Sequence, residues 1–190
     1  MKSELLEQRK AALRYNEEIN DWMESARELL VNLNVELFMR VTLILNFQEK
    51  CIGYKVLTTD INFYKFQFNG NREGFIEAIK RTRLHSSSHF LWSSSDNSTF
   101  IQTLYQEFSS VSGLAICKRC EEHIDIWNFG GKEPQIITNI IDQLNYFAHY
   151  FDQRYSCFLL ERSPFIECHS PIDMSYNFQR EEWYTFLGGR

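Results

Sequence analysis

From Ser3 to Asn32, apolar residues recur at spacings of three and four: Leu5, Leu6, Ala12, Leu13, Ile19, Met23, Ala26 and Leu30. Charged residues lie between them, and that period predicts an amphipathic helix with no proline or glycine to interrupt it. At Leu37 the pattern changes. Leu37–Phe47 (LFMRVTLILNF) is apolar and β-branched, and Cys51–Leu57 (CIGYKVL) returns after the polar break Gln48-Glu49-Lys50. The pair predicts a hairpin. Ile61–Phe68 (INFYKFQF) alternates like a strand but equally suits a short aromatic helix over the sheet. After the turn residues Asn69-Gly70-Asn71, the stretch Arg72–Leu84 carries Phe75, Ile76, Ile79 and Leu84 at helical spacing.

Phe90-Leu91-Trp92 is a short strand inside a serine-rich stretch, and Thr99 with Gln102 gives a capping box for a helix over Phe100–Phe108. Gly113–Cys120 and His123–Phe129 flank Glu121-Glu122 and form the clearest hairpin. Pro134 then suits the first turn of a long helix. Its apolar stripe is Ile137, Ile140, Ile141, Leu144, Phe147, Ala148 and Phe151, and it runs to about Leu160. The tail, 162–190, holds Pro164 and Pro171 and reads as an extended arm or interdomain linker after a domain spanning 1–161. A short amphipathic piece lies around Trp183–Leu187. Consecutive hairpins with interspersed helices predict an α/β domain of the α+β kind. Its sheet is mainly antiparallel, with helices on its faces.

A length of 190 residues fits one domain with one core. The net charge of −5 argues against nucleic-acid binding by this chain alone. The run Lys80, Arg81, Arg83 reads as a solvated helix end. Five scattered cysteines do not make a disulfide framework, and the charged amino terminus has no signal core. No stretch has the length of a membrane span. A reducing cytoplasm is the expected location.

Cys117 and Cys120, with His123, Cys168 and His169, contain zinc-ligand types. Only one CxxC is present, however, and its cysteines fall on opposite faces of a strand, so no metal is expected. His85, Ser86–Ser88, His89 and Asp96 lack the nucleophile-elbow pattern GxSxG. Gly130-Gly131-Lys132 lacks phosphate-loop spacing. Glu121, Glu122 and Asp125 read as a solvated hairpin tip. No catalytic residue, cofactor or enzyme activity is expected. Aromatic residues are 15% of the chain. Tyr54, Phe63, Tyr64, Phe66, Phe68, Phe90, Trp92, Trp127 and Phe129 fall on or beside the strands, where they either fill the core or wall a pocket.

With these elements in order, Val35 to about Leu160 resembles the amino-terminal sensor domains of LuxR-type transcriptional regulators, the autoinducer-binding-like domains. The carrying residues are LFMRVTLILNFQEKCIGYKVLTTD, the FLW strand, STFIQTLYQEF, and GLAICKRCEEHIDIWNFGG with the helix after it. The resemblance implies a PAS-like α/β/α sandwich with a five-stranded, mainly antiparallel sheet. It also implies a small-molecule or regulatory pocket on one face, often a homodimer, and DNA binding through a separate helix-turn-helix module. Carried over by position, Trp92 matches a pocket wall and Gly113 the glycine that starts the fourth strand. Tyr64 and Phe68 fall in the region of the family's Trp/Tyr pair. Tyr54, Phe63 and Trp127 complete the expected ligand-binding set. Two departures stand out. The Asp-Pro pair expected after Phe68 is replaced by Asn69-Gly70-Asn71-Arg72, and no helix-turn-helix follows before Arg190. The competing reading is an interaction module that docks a partner, or its own copy, through its first and last helices.

Overall fold

The computed structural model describes residues 2–60, 79–80, 82–93, 112–131 and 140–175; the side chains of 2, 3, 92, 93, 112, 156 and 157 are not among those described. Helices α1 (Lys2–Glu18) and α2 (Asn20–Val31) precede the hairpin β1 (Leu37–Leu45) and β2 (Lys50–Thr58). Then come β3 (Ser87–Ser93), β4 (Ser112–Arg119) and β5 (His123–Gly131). Helix α3 (Ile141–Phe151) passes through a π-helical turn, Asp152–Ser156, into α4 (Cys157–Arg162), and β6 (Ile166–Asp173) follows. The strands form one antiparallel sheet in the order β3-β4-β5-β1-β2-β6.

Six described strands replace the expected five. The sixth comes from the arm, where Gly53 and Tyr54 of β2 pair with Glu167 and Ile166. The alternation that marks a two-faced strand is weak in IECHSPID, because β6 is an edge strand exposed along most of its length. The expected helix over 100–108 and the ambiguous 61–68 stretch lie outside the described residues; of the expected helix over 72–84, Ile79 and Lys80 are helical, but Thr82–Leu84 are not, and Leu84 forms a parallel bridge with Arg119 instead.

Facing residues across the ladders share a side of the sheet. One face carries Phe38, Leu57, Leu114, Ile116, Trp127 and Phe129, packed with Met23, Ala26 and Leu30 of α2 and Leu144, Phe147 and Phe151 of α3. Phe38 is its hub: its ring stacks on Phe129 at 5.4 Å and meets Phe147 and Phe151 edge-on at 5.1 and 5.0 Å. Edge-on and offset contacts are the arrangements that the ring quadrupole favours. We call this the helix face. The opposite face carries Leu37, Met39 and Val56, packed with Ala12 of α1. Further along the same face, Leu45, Cys51, Phe90, Ala115, Cys117, Ile124 and Ile126 pack with Ile79 and Met174.

The amino-terminal helix is therefore two helices. The break at Ile19 (φ −91°, ψ 7°) has no proline or glycine behind it. Its cause is tertiary: Ala12 serves one face of the sheet, and Met23, Ala26 and Leu30 serve the other. Asn16 fixes the crossing point. It is fully buried, its Nδ2 donates to the Val56 carbonyl at 3.0 Å, and its Oδ1 accepts from the Thr58 amide at 2.9 Å. The side-chain amide thus occupies the edge of β2 where the pairing with β6 has ended. Helix α2 stops in a Schellman arrangement. Val35 N–H donates to the Leu30 carbonyl, Asn34 N–H donates to Val31, and Asn34 takes φ 55°. Asparagine tolerates that left-handed geometry, and Leu30 and Val35 meet in the core.

Candidate functional site

Each face of the sheet holds a buried polar feature, and the two differ in how fully they are bonded. On the helix face Arg40, 4% exposed, lies inside the apolar run of β1. Its Nη2 sits 3.1 Å from Asp125 Oδ1, its Nε donates to Asp152 Oδ1 at 2.9 Å, and its Nη1 donates to the Thr42 hydroxyl. Thr42 in turn donates to Asp125 at 2.8 Å, and His123 Nε2 lies 3.3 Å from Asp125 Oδ2. The guanidinium also lies over the Trp127 ring, 5.2 Å from its centroid. Register explains the gathering: Arg40 faces Trp127 and Thr42 faces Asp125 across the β1–β5 ladder. The π-helical turn begins at Asp152 and presents that carboxylate from the helix layer.

Burial works to raise the Asp125 carboxyl. Its hydrogen bond to His123, the Arg40 charge and the Thr42 hydroxyl outweigh that, and the carboxyl is held below its ordinary value. The hydrogen bond to Asp125 pushes His123 up, against its own burial. The expectation that Asp125 sits on a solvated hairpin tip is corrected here. Glu121 and Glu122 are exposed, but Asp125 is two residues inside β5 and points into the covered face. Arg40 has three partners, and a buried ion network so satisfied is a structural element of the fold.

On the opposite face the arrangement is open. Asn128 of β5 is buried, and its Nδ2 has no hydrogen-bond partner among the described residues. It faces Ala115 on β4 and Met39 on β1. One step further along the strands, Gly130 faces Gly113 and Leu37. Phe90, on β3, faces Ala115. The result is a run of minimal side chains, Gly113, Gly130 and Ala115, beside the larger Leu37 and Met39, with an amide donor set in it that is unmatched among the described residues. A buried donor without an acceptor costs about 1–3 kcal/mol. Such exceptions are few in native proteins and each requires a reason.

The expected ligand-binding residues divide between these surroundings. Gly113 is part of the floor, and Trp92 pairs with it through the backbone. Tyr54 is on the same face but faces Leu43, which faces Ile124. That row lies four residues from Asn128 along β5, roughly 14 Å away at the usual strand rise. Trp127 is on the helix face, packed in the core with Phe129 and Ile116. Its Nε1 is also unpartnered among the described residues. Tyr54 and Trp127 therefore do not share one pocket wall. Phe63, Tyr64 and Phe68 lie outside the described residues.

Sequence reasoning missed Asn128. Its one visible signal was a polar residue inside HIDIWNF at a position whose alternation points into a covered face. Arg40 was hidden in the same way within LFMRVTL. Cys117 is fully buried and its thiol is pushed up by burial, while Cys120 sits in the turn after β4. Among the described residues no group of three or more His, Cys, Asp or Glu side chains is placed to hold a metal. No described helix is long and apolar enough to cross a membrane. No family model, curated protein or solved structure matches the chain.

Proposed function

We propose that this chain is the non-enzymatic, ligand-sensing or regulatory domain of a LuxR-like transcriptional regulator, with DNA binding assigned to a module outside it. In this reading a small molecule lies on the sheet face that carries Gly113, Gly130, Ala115 and Asn128. The glycines give it room, and the Asn128 amide donates to a carbonyl-type acceptor on it. The carrying observation is the buried Asn128 nitrogen, which has no partner among the described residues. Ile79 packs on this face with Phe90 and Ala115. Charge supports a neutral ligand, since the floor itself holds no ionisable side chain.

Thermal denaturation against acyl-homoserine lactones and organic-soluble fractions of cell extract tests the reading. A ligand should raise the melting temperature of the natural chain and leave Asn128→Leu unmoved. A response that Asn128→Leu retains in full would place the ligand elsewhere.

A second reading, the interaction module, has its own support. Trp22 and Leu29 on α2, Tyr146 on α3 and Phe158 on α4 are large apolar side chains about half exposed or more. Trp22 meets Tyr155 and Phe158 at ring distances of 6.3 Å. Such a patch suits a homodimer or a docked helix. Light scattering across a concentration series would detect the dimer, and a strict monomer would count against it.

A further inference from the structure

We propose that Cys51 and Cys168 are a redox latch, an intramolecular disulfide site that fastens strand β6 to the edge of β2. The inference stands apart from the ligand reading and rests on different residues. The two sulfurs lie 3.9 Å apart on neighbouring strands. A disulfide needs about 2.05 Å, so the side chains must close by about 2 Å in all. The local backbone leaves slack for that movement. Cys51 pairs with Ile172 and Gly53 pairs with Glu167, so Cys168–Pro171 bulge out opposite Ile52 alone. Cys168 is the first residue of this bulge, and Pro171 near its end has no amide to give the ladder.

The strand that the latch would hold is anchored at its two ends by the buried Ile166 and Met174 and lightly attached between them. Four pairings in two short pieces join β6 to β2. Two further backbone donors tie it down: Glu167 N–H donates to Gln8 Oε1 at 2.9 Å and Met174 N–H to the Glu49 carbonyl at 2.9 Å. Most of its residues are exposed. The exposed middle of the strand opens at lower cost than its buried ends, and a covalent bond at its bulge removes that opening.

The chemistry balances with a hydroperoxide as oxidant. Cys168 is the partly exposed sulfur and Cys51 the buried one. The Cys168 thiolate attacks the O–O bond, giving a sulfenic acid and, for hydrogen peroxide, one water after proton transfer. The Cys51 sulfur then attacks the sulfenic sulfur, the S–S bond forms, and the hydroxyl leaves as a second water with the Cys51 proton. Two thiols lose two electrons and two protons, and the peroxide is reduced. In the reduced pair the sulfur neighbour and burial both push the Cys51 thiol up, so the more exposed Cys168 is the sulfur that meets the oxidant first.

The test uses the full chain, titrated with hydrogen peroxide, digested without reduction and mapped by mass spectrometry. Amide exchange over Ile166–Ser175 is followed in parallel. The expected result is one Cys51–Cys168 disulfide, reversed by dithiothreitol. Exchange in β6 should slow by about tenfold or more, in keeping with the usual stabilisation by a cross-link. Cys168→Ser, a change at a partly exposed site, should keep the reduced protein's exchange pattern and show no response to peroxide. The proposal is overturned if the oxidised chain pairs other cysteines. It is also overturned if Cys168 runs on to sulfinic acid without a bridge, or if the bridge forms and β6 exchanges as before.

Discussion

Replacing Asn128 by leucine should stabilise the ligand-free protein while abolishing its response to a ligand. Leucine has the same number of side-chain heavy atoms and the same branch point, so it fits the outline of the asparagine. The substitution removes a buried amide nitrogen that has no acceptor among the described residues, and relieving such a group returns about 1–3 kcal/mol. Methyl groups are bulkier than the amide atoms they replace, and overpacking in a tight core takes back about 1 kcal/mol or more. The expected net gain is about 1 kcal/mol. For a domain of 150–250 residues that corresponds to a rise in melting temperature of about 2–4 °C. Chemical denaturation with an unchanged m-value would report the same gain without contributions from a changed unfolded state. A loss of more than about 1 kcal/mol would refute the reasoning, because it would mean that the amide is already bonded in the folded chain. The pattern of gained stability and lost response is the usual signature of a binding residue kept at a cost to the fold.

Three further outcomes follow from the same structure. Gly53→Ala should destabilise by about 1–3 kcal/mol, because its Cβ would lie 2.0 Å from the Phe165 ring and 2.6 Å from the Ile166 carbonyl; urea denaturation measures this, and a neutral result would mean that β6 shifts freely. Asn16→Ala leaves the Val56 carbonyl and Thr58 amide without their side-chain partners at the β2 edge and should cost about 2–4 kcal/mol, two buried groups at the usual penalty. The pH profile should have two limbs. Asp125 is held below its ordinary 3.8, so its contribution is full above that value and is lost as pH falls through the folded one. His123 is raised above its ordinary 6.5, so its contribution is full below 6.5 and is lost as pH rises through the folded value. Stability should be flattest between those two ordinary values, and an alkaline limb that survives in His123→Gln would assign it to another group.

The sheet was legible in the sequence because its central strands are covered on both faces. LFMRVTLIL and CIGYKVL are apolar at nearly every position, and the ladders lie where those runs predicted. The break in the first helix was not legible, since both halves keep an apolar stripe and nothing in the local residues forbids a straight helix. The long-range bonds of Asn16 to β2 decide it. Strand β6 was hidden for the opposite reason: an exposed edge strand with a bulge and a proline has no period to read. The resemblance pointed to Gly113, which the ladders place one row from Asn128, and nothing in the sequence singled out Asn128. A single asparagine in an apolar run has the same appearance whether it is a bonded core residue or an open donor. The difference lies only in what surrounds its nitrogen.

In the proposed reading the two faces of the sheet carry opposite consequences, one as the ligand site and the other as the scaffold. On the helix face the Arg40 charge is met by Asp125, Asp152 and Thr42, so a change there subtracts stability and should leave ligand preference alone. The complication on that face is Trp127, whose Nε1 is also unpartnered among the described residues. Its ring, however, lies under the Arg40 guanidinium and inside the phenylalanine cluster, with no small-residue floor beside it. Trp127→Phe would remove the unmatched donor and keep most of the aromatic surface. The cavity term and the weaker cation–π contact should leave a net cost of about 1–3 kcal/mol. The ligand-induced shift in melting temperature should survive it. If Trp127→Phe lost that shift and Asn128→Leu kept it, the binding site would belong to the helix face, and the open amide over the glycines would be a structural defect with no functional return.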